Sequence, residues 1–206
     1  MKIKSKKLRR MLRDKKLLEK LGDFGIIGQW SNGACVDYKV LECIKDKFNI
    51  KTMIDVGCGE GKQVEYARKI GINTIGVDGC PALSIYSKPY FVHHNYVRGM
   101  VNLGQFDLGW SVEFLEHVFD KYIPNFMDTL TRCKFVICTH AIPGQRGIHH
   151  VNCQTEEYWI KVFGEYGLEY DEKQTDNIKN LATMSHIRKR GLFFRNIRCN
   201  QDICND

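Results

Sequence analysis

The chain has 206 residues, of which 43% are hydrophobic and 27% charged, and its formal net charge is +7. This size and composition suit one globular domain with a buried core, and no apolar run approaches the roughly 20 residues that cross a bilayer. Because no apolar signal-peptide core follows the N-terminal charges, and the nine cysteines are scattered without a CxxC pair, the expected setting is cytoplasmic, with neither a disulfide framework nor a cysteine zinc site.

Residues 1–20 hold ten Lys or Arg against Asp14 and Glu19, so this stretch carries +8 and the remainder sums to −1. Leu8, Leu12, Leu18 and Leu21 fall near helical spacing, which predicts a basic amphipathic helix. Such a leader is either a solvated face that aids solubility or a surface for a polyanion such as nucleic acid. Residues 22–34 are glycine-rich and loop-like. Residues 35–48 read as a helix, with Val40, Leu41, Ile44 and Phe48 as its apolar stripe. We therefore divide the chain into an N-terminal basic helical segment, 1–49, and a second unit, 50–206.

From residue 52 short apolar runs alternate with helical stretches. The runs are 52–56, 74–77, 90–92, 106–110 and 135–139, followed by a final pair at 168–171 and 192–195. Runs apolar on both faces suit buried parallel strands, and helices between them give βαβ units in an α/β fold. The first strand leads into "IDVGCGEGKQ", residues 54–63. Asp55 is followed by Gly57, Gly59 and Gly61, with helix character from Lys62. Glycine allows a sharp turn and a close ligand approach, and the helix N-terminus behind it presents free N–H groups. The spacing differs from the GxGxxG of dinucleotide sites.

The second strand, "TIGVDG", ends in Asp78, a carboxylate able to accept hydrogen bonds from two ribose hydroxyls. "YFVHHNY" (90–96) follows, and then "FDLGWSVEFLEHV" (106–118). Taken in order, these four stretches resemble class I S-adenosylmethionine-dependent methyltransferases of the small-molecule, type 11-like kind, over roughly residues 50–196. The resemblance implies a Rossmann-like, seven-stranded, mostly parallel sheet with helices on both faces and the last strand antiparallel. It implies S-adenosyl-L-methionine as cofactor, held by Asp55, Gly57, Cys58, Gly59, Gly61, Asp78, Gly79, Asn95, Ser111 and Glu113. Asn95 stands where the family has an aspartate toward adenine, with His94 as the alternative, and Gly109 stands where the family has a valine. Glu116 and His117 are expected to begin the next helix.

Methyl transfer from a sulfonium is an in-line displacement, so alignment is the main task. A hydroxyl acceptor also needs a base, usually histidine near neutral pH. The loop "THAIPGQRGIHHVNCQTEEYW" (139–159) carries His140, His149 and His150. His149 or His150 is the expected general base, with His117 as a further catalytic candidate; each has an alternative reading as a loop-orienting or packing residue. No metal is assigned: His140, His149, His150 and Cys153 match no zinc spacing. Trp30, Tyr38, Tyr158 and Trp159 could wall an acceptor pocket or lie in the core. The expected function is methylation of a hydroxyl on a sugar, glycan or other small molecule, and the alternative is a nucleic-acid methyltransferase using the basic N-terminus. No "DPPY" or "NPPY" stretch supports methylation of base amines. A third reading is a non-catalytic, cofactor-binding partner module. Oligomeric state is left open.

Overall fold

The computed structural model describes residues 36–80 and 87–198. The basic leader, Trp30 and the loop at 22–34 lie outside the described residues. The elements run α1 (Tyr38–Phe48), β1 (Thr52–Val56), α2 (Lys62–Lys69), β2 (Asn73–Asp78), β3 (Phe91–His93), β4 (Phe106–Ser111), α3 (Ile123–Leu130), β5 (Cys133–Cys138), α4 (Glu156–Glu165), β6 (Leu168–Tyr170), α5 (Glu172–Leu181), α6 (Ser185–Arg190) and β7 (Leu192–Asn196). Short 3-10 turns occupy Tyr96–Arg98, Leu115–His117 and Asp120–Tyr122.

The strands form one seven-stranded sheet in the order β3-β2-β1-β4-β5-β7-β6. The pairs from β3 through β5 are parallel, and β7 runs antiparallel to both β5 and β6. This is the Rossmann-like methyltransferase fold that the sequence led us to expect, with strand ends shifted by one or two residues. The fifth strand moves most: it starts at Cys133, because Phe106, Leu108 and Gly109 on β4 pair with Cys133, Phe135 and Val136.

Alternation along the strands divides the core between two faces. Met53, Leu108, Trp110, Ile137 and Phe193 pack with Val40, Leu41 and Ile44 of α1, Ala67 of α2, Ile178 of α5 and Ile187 of α6. Ile54, Val136, Cys138, Leu192 and Phe194 pack with Phe126, Met127 and Leu130 of α3 and with Trp159 and Phe163 of α4. Trp159 is therefore core. Tyr38 is exposed and meets Tyr66 edge-on, with ring centroids 4.5 Å apart. Gly109 lies on the α3 side, where an added Cβ would be 3.0 Å from Cys133 Sγ and 3.2 Å from Leu130 Cδ2. A valine there would press on both neighbours, which accounts for the glycine in an otherwise apolar strand.

Asp37 ties α1 to the body of the protein. It is fully buried, caps α1 by accepting from Val40 N–H at 3.2 Å, and accepts from Met184 N–H at 2.9 Å and Thr183 Oγ1 at 3.2 Å. Its own N–H donates to Gln63 Oε1 at 3.0 Å. One carboxylate thus joins α1 to the α5–α6 junction, and its backbone joins α1 to α2.

Candidate functional site

Parallel strands leave the loops after β1, β2, β4 and β5 at one edge of the sheet, the edge where open α/β sheets hold ligands. The loop after β1 turns by backbone bonding. The N–H groups of Gly57 and Cys58 both donate to Val77 O, at 2.8 and 3.0 Å. Gly57 (φ 80) and Gly61 (φ 73) are left-handed, and an added Cβ would lie 2.4 Å from Phe114 Cδ2 and 2.3 Å from Phe91 Cζ respectively. These two positions need glycine for conformation and for space. Gly59 has open space where a Cβ would stand. Gly61 also begins α2 with no side-chain cap, so the first N–H groups of that helix remain for a ligand.

Asp78 meets this turn. Its carboxylate accepts from Gly59 N–H at 2.9 Å and from Cys80 N–H at 2.8 Å. Asp55 is buried one residue before the end of β1, and burial, reinforced by the charge of Asp78, pushes its carboxyl up to about 8. Cys58 is raised as well, by burial first and then by the charges of Asp55 and Asp78. Two carboxylates, the buried Asp55 and Asp78, therefore lie at the glycine turn.

The remaining expected cofactor contacts are placed differently. Asn95 lies against Gly79, where an added Cβ would be 3.2 Å from Asn95 Cβ. Its side-chain oxygen accepts from Val97 N–H at 2.9 Å, so it caps the 3-10 turn at 96–98. The ring of His94 is held at Gly99 O, 2.9 Å from Nε2. The buried Ser111 hydroxyl donates to Val56 O at 3.2 Å and ties β4 to β1, and its carbonyl accepts from Thr139 N–H at 3.1 Å. Glu113 adopts φ 58, rare for a side-chain-bearing residue; its N–H donates to Thr139 Oγ1 at 2.8 Å and its carboxylate pairs with His186 Nδ1 at 2.9 Å. That bond raises the His186 imidazole above its usual range.

The histidines converge at the loops after β4 and β5. The expected helix at Glu116 is a 3-10 turn, Leu115–His117, and the α-helix starts only at Ile123. The tighter turn carries Glu116 inward. The Glu116 side chain is fully buried, neither carboxylate oxygen has a hydrogen-bond partner among the described residues, and burial, reinforced by Glu113, pushes it up to about 8. The Glu116 carbonyl accepts from Val151 N–H at 2.9 Å and Asn152 N–H at 3.1 Å, which latches the 139–155 loop onto this turn. His149 is buried at φ 57, and its carbonyl accepts from His117 Nδ1 at 3.1 Å. The His117 ring centroid is 6.5 Å from that of His149 and 5.1 Å from that of His150. Burial, then the neighbouring His150, pushes the His117 imidazole down to about 4, and burial lowers His150. His140 is buried separately, its Nδ1 at Gln154 O.

The three candidate imidazoles thus meet in space. Sequence reasoning did not select Glu116 or His186. Glu116 looks like the exposed start of a helix until the 3-10 turn buries it, and His186 lies far along the chain in α6.

Comparison with known proteins agrees with the architecture. Residues 54–135 match the model of a family described as a methyltransferase domain. A TehB-like SAM-dependent methyltransferase from Corynebacterium glutamicum superposes with a TM-score of 0.59 at 17% identity, covering 77% of this chain and 88% of its own. Magnesium protoporphyrin IX methyltransferase from Synechocystis, with bound SAH, gives 0.56 at 14% identity, covering 91% and 96%. The 1,6-didemethyltoxoflavin-N1-methyltransferase of Burkholderia thailandensis, with bound 1,6-didemethyltoxoflavin and S-adenosylhomocysteine, gives 0.55 at 12% identity, covering 81% and 80%. Among curated proteins no sequence matches.

Proposed function

We propose that the chain is a class I S-adenosylmethionine-dependent methyltransferase and that it methylates a hydroxyl of a sugar, glycan or other small molecule. The observation that carries this reading is the meeting of Glu116, His117, His149 and His150 after β4 and β5, next along the chain to Phe114, which packs on Gly57. A nitrogen acceptor needs only a neutral lone pair, whereas a hydroxyl must lose a proton. An imidazole cluster at the acceptor side is suited to that extra step.

The cofactor fits the other side. The Asp55 carboxylate, raised by burial and by the charge of Asp78, would pair with the ammonium of the methionine part. Asp78 would accept from the ribose hydroxyls, and Gly59 leaves room for close approach. The acceptor oxygen takes the methyl carbon, the carbon–sulfur bond breaks, and the sulfonium becomes a neutral thioether. The hydroxyl proton passes to the imidazole cluster, with half-buried His150 as the proposed base. In-line alignment supplies most of the acceleration, up to ~7–11 kcal/mol in favourable cases.

The +8 of residues 1–20 supports a second reading, a nucleic-acid acceptor. One experiment separates the two. The full chain is incubated with methyl-labelled cofactor and with separate pools of sugars, glycans, RNA and small metabolites. Label in alkali-stable methyl ethers of the sugar, glycan or metabolite pools is the expected result. Label confined to RNA bases would sink the hydroxyl reading.

A further inference from the structure

Glu116 presents a problem that the protein alone does not solve. A fully buried carboxylate whose two oxygens have no partner among the described residues is costly in ionised form. Its surroundings are two imidazoles. One ligand atom from each of Glu116, His117 and His150 lies within 4.8 Å of the other two, and among the described residues this is the one such group of three or more His, Cys, Asp or Glu.

Both imidazoles are already oriented. His117 Nδ1 is 3.1 Å from His149 O, and His150 Nδ1 is 3.3 Å from Gln145 O. A carbonyl only accepts, so each Nδ1 carries the proton and each Nε2 keeps its lone pair. Metal-ligating histidines are held in this way, with the second ring nitrogen donating to a backbone carbonyl. The surrounding loop enforces the arrangement. Val151 and Asn152 bond back to the Glu116 carbonyl, so the strand of loop after His150 is fixed to the turn bearing the other two residues. Gly147 packs on the His150 ring, where an added Cβ would fall 2.0 Å from Nε2 and 2.1 Å from Cδ2. The left-handed φ of 57 at His149 lets adjacent residues serve two directions, its own carbonyl toward His117 and the next side chain toward the cluster.

We propose that Glu116, His117 and His150 hold one divalent first-row transition ion, through one carboxylate oxygen and two imidazole nitrogens. Two nitrogens and one carboxylate suit manganese, iron(II), cobalt or zinc, and suit magnesium or calcium poorly, since these prefer oxygen. Three protein ligands leave coordination positions open. On the hydroxyl-acceptor reading above, on which this use of the ion rests, the acceptor oxygen takes one of them. Coordination then lowers the hydroxyl pKa, the proton leaves to solvent, and the oxygen takes the methyl carbon as the carbon–sulfur bond breaks. His150 is then a ligand and not the base.

Spacing arguments miss this site because two ligands come from the turn after β4 and one from the loop after β5. They draw attention to His140 and Cys153 instead. His140 is held at Gln154, and the Cys153 sulfur lies 3.7 Å from His150 Nδ1, on the side of the ring that faces Gln145.

The test uses the full chain, treated with chelator and titrated with Co2+, followed by visible absorption and calorimetry. One equivalent is expected to bind. Glu116→Gln and His150→Ala should each weaken binding at least tenfold, while His140→Ala, outside the cluster, should retain it. Cofactor affinity of each variant checks that the fold is intact. No Co2+ binding, or binding unchanged in both ligand variants, overturns the site. The use of the ion is read separately, from methyl transfer to a hydroxyl acceptor with and without chelation. Loss on chelation with recovery on adding Co2+ or Mn2+ is expected; transfer indifferent to chelation overturns the ion's part in activating the hydroxyl and returns His150 to the role of base. A chain that binds Co2+ but transfers methyl to no hydroxyl keeps the site and overturns the acceptor reading.

Discussion

The two ends of the cleft are made of different material. The proposed cofactor end is backbone: Gly57, Cys58 and Gly59 place their N–H groups on Val77 and Asp78 within a turn of five residues. The proposed acceptor end is side chain: Glu116 and His117 meet His149 and His150 across a separation of 32 positions between His117 and His149. Backbone geometry suits a ligand that never changes, because glycine φ values and strand register define it. Side chains suit chemistry that must be specified for one acceptor, because each can be exchanged without altering the fold.

Substitutions can break or sharpen that contrast. The largest effect is expected for His150→Ala, with turnover falling at least about 100-fold while cofactor affinity stays within about twofold, by steady-state kinetics and calorimetry. An equal loss of affinity would mean that the two ends are not separable. Gly57→Ala comes next. Its φ of 80 and the 2.4 Å approach of the new Cβ to Phe114 predict about 2–3 kcal/mol of destabilisation in a denaturant melt. A variant of native stability would contradict the packing described for the turn. Asp78→Ala should weaken cofactor binding roughly tenfold, by loss of hydrogen bonds to a charged group, with turnover at saturating cofactor little changed.

A further effect is expected in the pH dependence of stability. Asp55 is raised from 3.8 to about 8 in the folded chain, so the folded state keeps a proton that the unfolded chain releases. The stability this confers is complete below pH about 4 and is lost as pH rises through about 8. Asp55→Asn cannot ionise, so its melting temperature without cofactor should fall less between pH 5 and pH 8 than that of the parent. The same variant should bind the cofactor more weakly, because the methionine ammonium loses its partner. Parallel melting curves for the two proteins would show that Asp55 does not carry the shift.

The legibility of the sequence follows the same division. The strands from β1 to β5 were readable because continuous apolar runs bounded by turns report burial on both faces. Asp55, the glycines and Asp78 were readable because a turn is a local object. The helix expected at Glu116 was not, since helical and 3-10 continuations begin with the same residues and packing under Leu115 decides between them. The Asn95 oxygen, expected to face adenine, also caps the 96–98 turn through Val97 N–H, a local bond that asparagine makes readily at the start of a turn. His149 and His150 were conspicuous as a pair, but their partner Glu116 could be found only once β4 and β5 lay side by side.

Phe114 is where the two materials touch. Its ring fills the space that Gly57 leaves, and it packs edge-on against Phe126 and Tyr96, with centroids 5.5 and 6.0 Å away. It also sits between Glu113 and Glu116 in the chain. Removing this aromatic anchor would therefore take the floor from the glycine turn and a wall from the polar cluster in one step.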